Sequence, residues 1–112
     1  MANQELGKTS LGIEPNVAAL LSYLLGWITG LVFFLIEKEN KFVRFHAFQS
    51  IVVFGSFTVL LIVLGFIPVI GWAIMPFVWI AELIAWIVCM IKAFQGEKFK
   101  LPVAGDIADK NA

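Results

Sequence analysis

The sequence places one carboxyl group, that of Glu82, in the middle of a long apolar segment. It is the tenth of 21 residues in a helix predicted over 73–93. An ionised carboxylate at mid-membrane is costly, so this group must be protonated, paired or in contact with water. At helical spacing, Trp79 and Trp86 fall on the same face, where their indole N–H groups could donate to it. Two interpretations stay open: a proton- or cation-binding group in a pathway, or a neutral acid in an interhelical hydrogen bond.

Polar residues of the preceding helix, predicted over 46–66, are the expected partners of Glu82. They gather on one side of that helix and are His46, Gln49, Ser50 and Ser56. Antiparallel packing would bring Ser56 level with Glu82. We expect this stripe to face the third helix or a cavity rather than lipid, either as packing contacts or as the lining of a conduit.

Small residues recur at helical spacing in the first apolar segment. Ser22, Gly26 and Gly30 form two steps of the small-xxx-small pattern. Such residues let helix backbones approach closely in a membrane, where packing replaces the hydrophobic effect. The pattern predicts tight packing of the first helix, either within the chain or between copies.

The residues that open the second helix, Arg44, His46 and Gln49, follow a charged connector at 37–44. We expect them to reach headgroups and to bind the ends of neighbouring helices, and His46 could change its charge near neutral pH. One histidine and one cysteine, Cys89, cannot assemble a set of metal ligands in a monomer. Neither a serine triad nor a phosphate-binding glycine loop is recognisable. The sequence therefore predicts no enzymatic activity, no cofactor and no metal site.

The composition indicates that these residues are held in a lipid bilayer. The chain has 112 residues, of which 61% are hydrophobic and 14% charged, and its mean hydropathy is +0.94. A soluble domain of this size has too little interior to bury so much apolar surface. The formal net charge is zero, so no global field favours nucleic acid.

Uncharged segments predict an all-α bundle of three transmembrane helices with short connections. The predicted spans are 16–36, 46–66 and 73–93, each close to the roughly 20 residues that cross a bilayer. A turn around Pro68, flanked by Gly65 and Gly71, separates the second span from the third. Residues 1–15 form a polar N-terminal tail, and 95–112 a C-terminal tail.

Basic residues predict the orientation of this bundle. One lysine lies on the side of the N-terminus and the second turn, whereas seven Lys and Arg residues lie on the side of the first connector and the C-terminus. The positive-inside rule then places the C-terminus in the cytoplasm and the N-terminus outside. Breakers at Gly96, Pro102 and Gly105 predict an irregular C-terminal tail, either against lipid headgroups or in solvent.

The run Phe42-Val43-Arg44-Phe45-His46-Ala47-Phe48-Gln49-Ser50 resembles a family of small prokaryotic membrane proteins of unknown function. Residues 16–23 and 101–106 are similar to it as well. That family is grouped with the twenty-kilodalton component of the chloroplast inner-envelope import translocon, a channel-forming or channel-associated subunit expected to have four spans. The resemblance implies placement in a prokaryotic cytoplasmic membrane and draws attention to Arg44, His46 and Gln49.

Two function hypotheses follow from these observations. The first is an accessory or structural subunit, which acts through helix packing with itself or within a larger membrane complex. The alternative is a channel or translocation element for ions, protons or polypeptides. In that case Glu82 and the polar stripe of the second helix would line an oligomeric path.

Overall fold

The computed structural model describes residues 7–112, so the prediction for the N-terminal tail lies partly outside the described residues. This part of the chain is helical, as predicted, apart from its turns and extended connections. The helices are α1 (Pro15–Leu24), α2 (Trp27–Ile36), α3 (Lys41–Gly65), α4 (Ile70–Phe94) and α5 (Ala104–Asn111). Two of them, α3 and α4, are long and apolar enough to cross a membrane.

The first apolar segment does not form the predicted span over 16–36. It is broken into α1 and α2, ten residues each, and the chain reverses at Leu25–Gly26. Gly26 has a φ of 66°, a left-handed conformation that glycine adopts at little cost. Ten helical residues rise about 15 Å, half of the roughly 30 Å hydrocarbon core. The prediction of three spans is therefore wrong for the first segment: residues 7–112 form two long helices, the helical hairpin α1–α2 and the short helix α5.

Contacts at both ends of the hairpin show this reversal. The Ser10 N–H donates to Glu37 Oε1 at 2.8 Å, so the residues before α1 lie beside the residue after α2. The Asn16 side chain donates to the Phe94 carbonyl at 2.9 Å, which places the start of α1 at the end of α4. We call this end of the molecule, formed by 7–14, 37–44 and 92–112, the polar end. The predicted placement of the N-terminal segment and the first connector on opposite sides is wrong.

Side chains satisfy the backbone groups that the break in the helix frees. Ser50 Oγ donates to the Gly26 carbonyl at 2.8 Å, and the Leu25 N–H donates to Thr29 Oγ1 at 3.1 Å. Gly30 is equally constrained, because a Cβ built on it would lie 2.9 Å from the Ala47 carbonyl oxygen. The small residues Gly26 and Gly30 thus pack within the chain, against α3.

The C-terminal tail packs against α3 instead of lying free. After α4 the chain runs along α3, where the Leu101 N–H donates to Gln49 Oε1 at 2.9 Å. Helix α5 then turns back, and Asp109 forms ion pairs with Lys98 and Lys100. The predicted irregular tail is therefore wrong for 104–111, because contacts with α3 that the tail sequence does not reveal order this segment.

Beyond the hairpin, α3 and α4 continue alone to the turn at 66–69, which we call the far end. In the most apolar 18-residue stretch of each helix, 28% of the residues of α3 are buried but only 6% of those of α4. Helix α3 begins before the predicted 46 and α4 before the predicted 73. Pro76 lies within α4 and does not begin it.

Candidate functional site

A buried hydrogen-bond network joins the hairpin, α3 and the C-terminal tail. Tyr23 and His46 are both fully buried, and the Tyr23 hydroxyl lies 2.6 Å from His46 Nδ1. His46 Nε2 lies 2.9 Å from the Glu97 carbonyl oxygen. Because a carbonyl can only accept, Nε2 carries the proton and Nδ1 accepts from the tyrosine. His46 is thereby held as one neutral tautomer between two fixed partners.

Gln49 completes this network, and it uses both ends of its amide. Its Nε2 donates to the Tyr23 hydroxyl and to the Phe99 carbonyl, each at 2.9 Å, while Oε1 accepts from the Leu101 N–H. We call Tyr23, His46 and Gln49 the polar clasp. Since every hydrogen-bonding group of His46 and Gln49 has a partner in the chain, the clasp acts as a structural connection and offers no open ligand site.

Arg44 binds the end of the hairpin rather than extending to headgroups. Its Nη1 donates to the carbonyls of Phe34 at 2.9 Å and Glu37 at 2.8 Å. Its guanidinium also lies 4.1 Å from the centre of the Phe34 ring. A cation is favourable at the C-terminal end of a helix, where carbonyl groups lack partners, so Arg44 fixes α2 to the start of α3.

Glu37 is a buried carboxylate at the polar end that the sequence analysis did not single out. It accepts hydrogen bonds from the backbone N–H and hydroxyl of Ser10 and from the N–H groups of Glu39 and Asn40, all within 3.0 Å. Burial acts to raise the pKa of its carboxyl, but these donors together outweigh burial and hold the pKa below its usual value. The sequence signal for this turn is Asn40, a residue type that favours the start of a helix. Its side chain caps α3 by accepting from the Val43 N–H, and its backbone N–H donates to Glu37.

Glu82 lies in a cavity of about 550 Å³ at the tip of the hairpin, where α1 and α2 meet the long helices. Its Oε1 is buried and has no hydrogen-bond partner within residues 7–112. Trp79 and Trp86 line the same cavity, as their spacing predicts. The remaining lining residues are uncharged and are Leu25, Gly26, Trp27, Phe54, Thr58, Leu61, Ile62 and Leu83.

The indole of Trp86 does not donate to Glu82. Its Nε1 donates to the Tyr23 carbonyl at 2.7 Å, so it anchors α1 to α4. Ser56 is also not a partner of Glu82, because it is exposed and lines a separate groove with Pro102 and Val103. Ser56 follows Gln49 by two helical turns, and that face of α3 meets the tail rather than α4. The predicted polar stripe is thus divided between the clasp and this groove.

Comparison with known proteins places this sequence in a family. Residues 10–108 match the model of the magnetosome magnetite crystal formation protein family. The chain belongs to this family. It is 57% identical over 105 residues to a UPF0132 membrane protein of Methanocaldococcus jannaschii, with 94% of each chain covered. It is 54% identical over 98 residues to a UPF0132 membrane protein of Archaeoglobus fulgidus, which covers 88% of this chain and 95% of the relative. No solved structure matches.

These family members support the expectation of a small prokaryotic membrane protein, since the relatives are archaeal and are named for the membrane alone. The family description refers to magnetite, an iron oxide, and not to protein import. The likeness to the chloroplast component stays a prediction that these relatives do not support. Within the part of the chain that the structure describes, no group of three or more His, Cys, Asp or Glu side chains is placed to hold a metal ion.

Proposed function

We propose that this family member is a non-enzymatic integral membrane protein that acts as an accessory or structural subunit. The observation that carries the proposal is the exposed surface of α4. Of its 25 residues, the buried ones are Gly71, Cys89 and Ala93. The exposed face includes large side chains such as Phe77, Trp79 and Ile80, which are 72%, 57% and 56% exposed. Packing against a second copy or another membrane helix would cover this face.

The polar end is the side that we assign to the cytoplasm. All eight Lys and Arg residues of the chain lie there, and the turn at 66–69 has none. This distribution is more one-sided than a three-span arrangement allows, and it supports the positive-inside assignment. Both the first described residues and the C-terminus would then face the cytoplasm. Labelling of cysteines placed at Gly7 and at Ala112 by a membrane-impermeant reagent in intact cells tests this, with neither position expected to react.

Disulfide crosslinking along α4 in native membranes tests the accessory role. We expect crosslinks from single cysteines on one exposed stripe, at Ile80, Ile84 and Ile91, in a chain that lacks Cys89. The wild-type protein is the control: its Cys89 lies on the same helix but is buried, so it should not crosslink. The mass of each product, read by mass spectrometry, separates a second copy from a different protein. The absence of crosslinks at all three positions would contradict the proposal.

A second candidate, a channel or translocation element, is favoured by Glu82 at the hairpin tip. Because the clasp uses His46 and Gln49, such a path would depend on the cavity rather than on the predicted polar stripe. Flux of protons or cations into vesicles that contain the purified protein tests it, and Glu82→Gln should abolish that flux. Wild-type vesicles without flux at any pH or potential would exclude this candidate.

A further inference from the structure

The cavity at the hairpin tip exists because the hairpin helices are much shorter than α3 and α4. Helices α1 and α2 are ten residues each, whereas α3 and α4 have 25 residues each and continue to the far end. The space on the far-end side of Leu25–Trp27 is therefore lined by the hairpin tip, α3 and α4. In a bilayer such a space must be filled by another molecule.

Glu82 sets the chemistry that the filling molecule must have. Its Oε1 is buried without a hydrogen-bond partner among the described residues, and an unpaired carboxyl in an apolar environment is unfavourable. The described residues do not supply a cation at this depth, since the eight Lys and Arg residues all lie at the polar end. The partner must come from outside residues 7–112 and must carry a positive charge or a donor.

The walls of the cavity define the rest of that molecule. Apart from Glu82 and the hydroxyl of Thr58, they are hydrocarbon and indole, and Thr58 Oγ1 already donates to the Phe54 carbonyl at 2.8 Å. Tryptophan surfaces attract organic cations as well as flat apolar groups. The volume of about 550 Å³ lies within the range of small-molecule sites, roughly 300–1,000 Å³.

We propose that this cavity is a binding site for an amphiphilic ammonium compound, whose charged nitrogen pairs with Glu82 and whose apolar body lies against Trp79. A lipid acyl chain would fill the space but leave the carboxyl unpaired. A second copy in the same orientation would bring its own cations only to the polar end. Charge complementarity therefore favours the ammonium compound over both, and this inference goes beyond the accessory role.

Equilibrium dialysis with two matched probes tests the proposal. The full-length protein is placed in phosphatidylcholine nanodiscs, and binding of 2-naphthylmethylammonium is compared with that of 2-naphthylmethanol, which has the same body without the charge. Empty nanodiscs give the background. We expect the ammonium probe to bind about tenfold more tightly than the alcohol, and Glu82→Gln to remove that preference.

Two further variants keep the result interpretable if Glu82→Gln folds poorly. Glu82→Asp retains the charge and should retain the preference for the ammonium probe. Ser56→Ala lies on α3 outside this cavity and should leave both probes unaffected. Equal binding of the two probes to the wild-type protein would indicate a site for hydrocarbon alone, and would overturn the proposal. Failure of both probes to bind, as when a second copy fills the cavity, would overturn it as well.

Discussion

Glu37 and Glu82 are both carboxyl groups with buried oxygen atoms, yet their surroundings are opposite. Glu37 accepts hydrogen bonds from the backbone N–H groups of Glu39 and Asn40 in the connector and from the N–H and hydroxyl of Ser10. Glu82 Oε1 has no such partner within residues 7–112. The first carboxylate joins segments of the chain that are distant in sequence, whereas the second lies unpaired in the cavity at the hairpin tip.

The same contrast holds for the two ends of the molecule. At the polar end, hydrogen bonds that Arg44, His46 and Gln49 donate or accept bind the hairpin, the connector and the tail to α3. Towards the far end, the turn at 66–69 and α4 present large apolar side chains such as Phe66 and Phe77, 83% and 72% exposed. The hydrogen bonds that fix the fold are thus concentrated at the polar end, whereas the large exposed apolar side chains extend towards the far end.

The largest expected effect is the loss of the clasp through Gln49→Leu. The change leaves the Phe99 carbonyl and the Leu101 N–H without their partners, and each buried unpaired group costs roughly 1–3 kcal/mol. We expect a destabilisation of about 3 kcal/mol and release of the C-terminal tail. Thermal unfolding in detergent and limited proteolysis of residues 97–112 measure both. Ser56→Ala, on the same face of α3, serves as the control and should change neither.

Substitution of two glycines by alanine compares a closely packed position in the hairpin, Gly30, with an open position on α3, Gly55. Gly30→Ala places a Cβ 2.9 Å from the Ala47 carbonyl oxygen, whereas a Cβ at Gly55 meets no atom within 4 Å. Overpacking should make Gly30→Ala less stable by about 1–2 kcal/mol. Gly55→Ala should be neutral or more stable by up to about 1 kcal/mol, because alanine favours the helix. Equal melting temperatures for the two variants would contradict the tight α2–α3 contact.

Acid should weaken the polar end through Glu37. Its pKa is lower in the folded protein than in the unfolded chain, so its stabilising effect is complete above the unfolded pKa. That effect is lost as the pH falls through the folded pKa. We expect the melting temperature to fall as the pH is lowered below the ordinary pKa of a glutamate. The fall should be smaller in Glu37→Gln, which is already less stable by about 1–2 kcal/mol at neutral pH.

Asp109 provides the control for this pH dependence. Hydrogen bonds from Lys98 and Lys100 also lower the pKa of its carboxyl, so it titrates in the same direction. It is exposed, however, and exposed ion pairs contribute little to stability. Asp109→Asn should therefore retain the acid sensitivity of the wild-type protein. If this variant instead lost the acid sensitivity, the fall in melting temperature would be due to Asp109 in the tail and not to Glu37.

The smallest effect is expected for Glu82→Gln, a change of the same chemical type as Glu37→Gln. Because Glu82 Oε1 has no hydrogen bond in the described chain to lose, the melting temperature should shift by less than the equivalent of about 0.5 kcal/mol. A large destabilisation would show that Glu82 is a structural residue, and the contrast between the two carboxyls would fail.

Hydropathy and the helix-breaking residues predict the long helices well, because an uncharged run and a cluster of Pro and Gly residues are properties of the local sequence. The break at Gly26 could not be predicted in this way, because Leu25 and Trp27 are apolar and 21 uncharged residues match one complete span. What stabilises the break is distant in sequence: Ser50 binds the Gly26 carbonyl from α3. The same limit applies to Ser56, whose neighbours depend on where the tail packs. Glu82 and its two tryptophans were predictable, since helical spacing alone brings them to one face.

In the orientation proposed above, the hairpin α1–α2 also determines what insertion into a membrane requires. For residues 7–112, the portion that would then pass to the opposite surface is the apex between α3 and α4, residues 66–69, which has no charged side chain. Translocation of a charged loop is the costly step for most multi-pass proteins, and here that step is missing. This chain can enter a bilayer as nested hairpins from a single face. We therefore expect its biogenesis to depend little on the membrane potential.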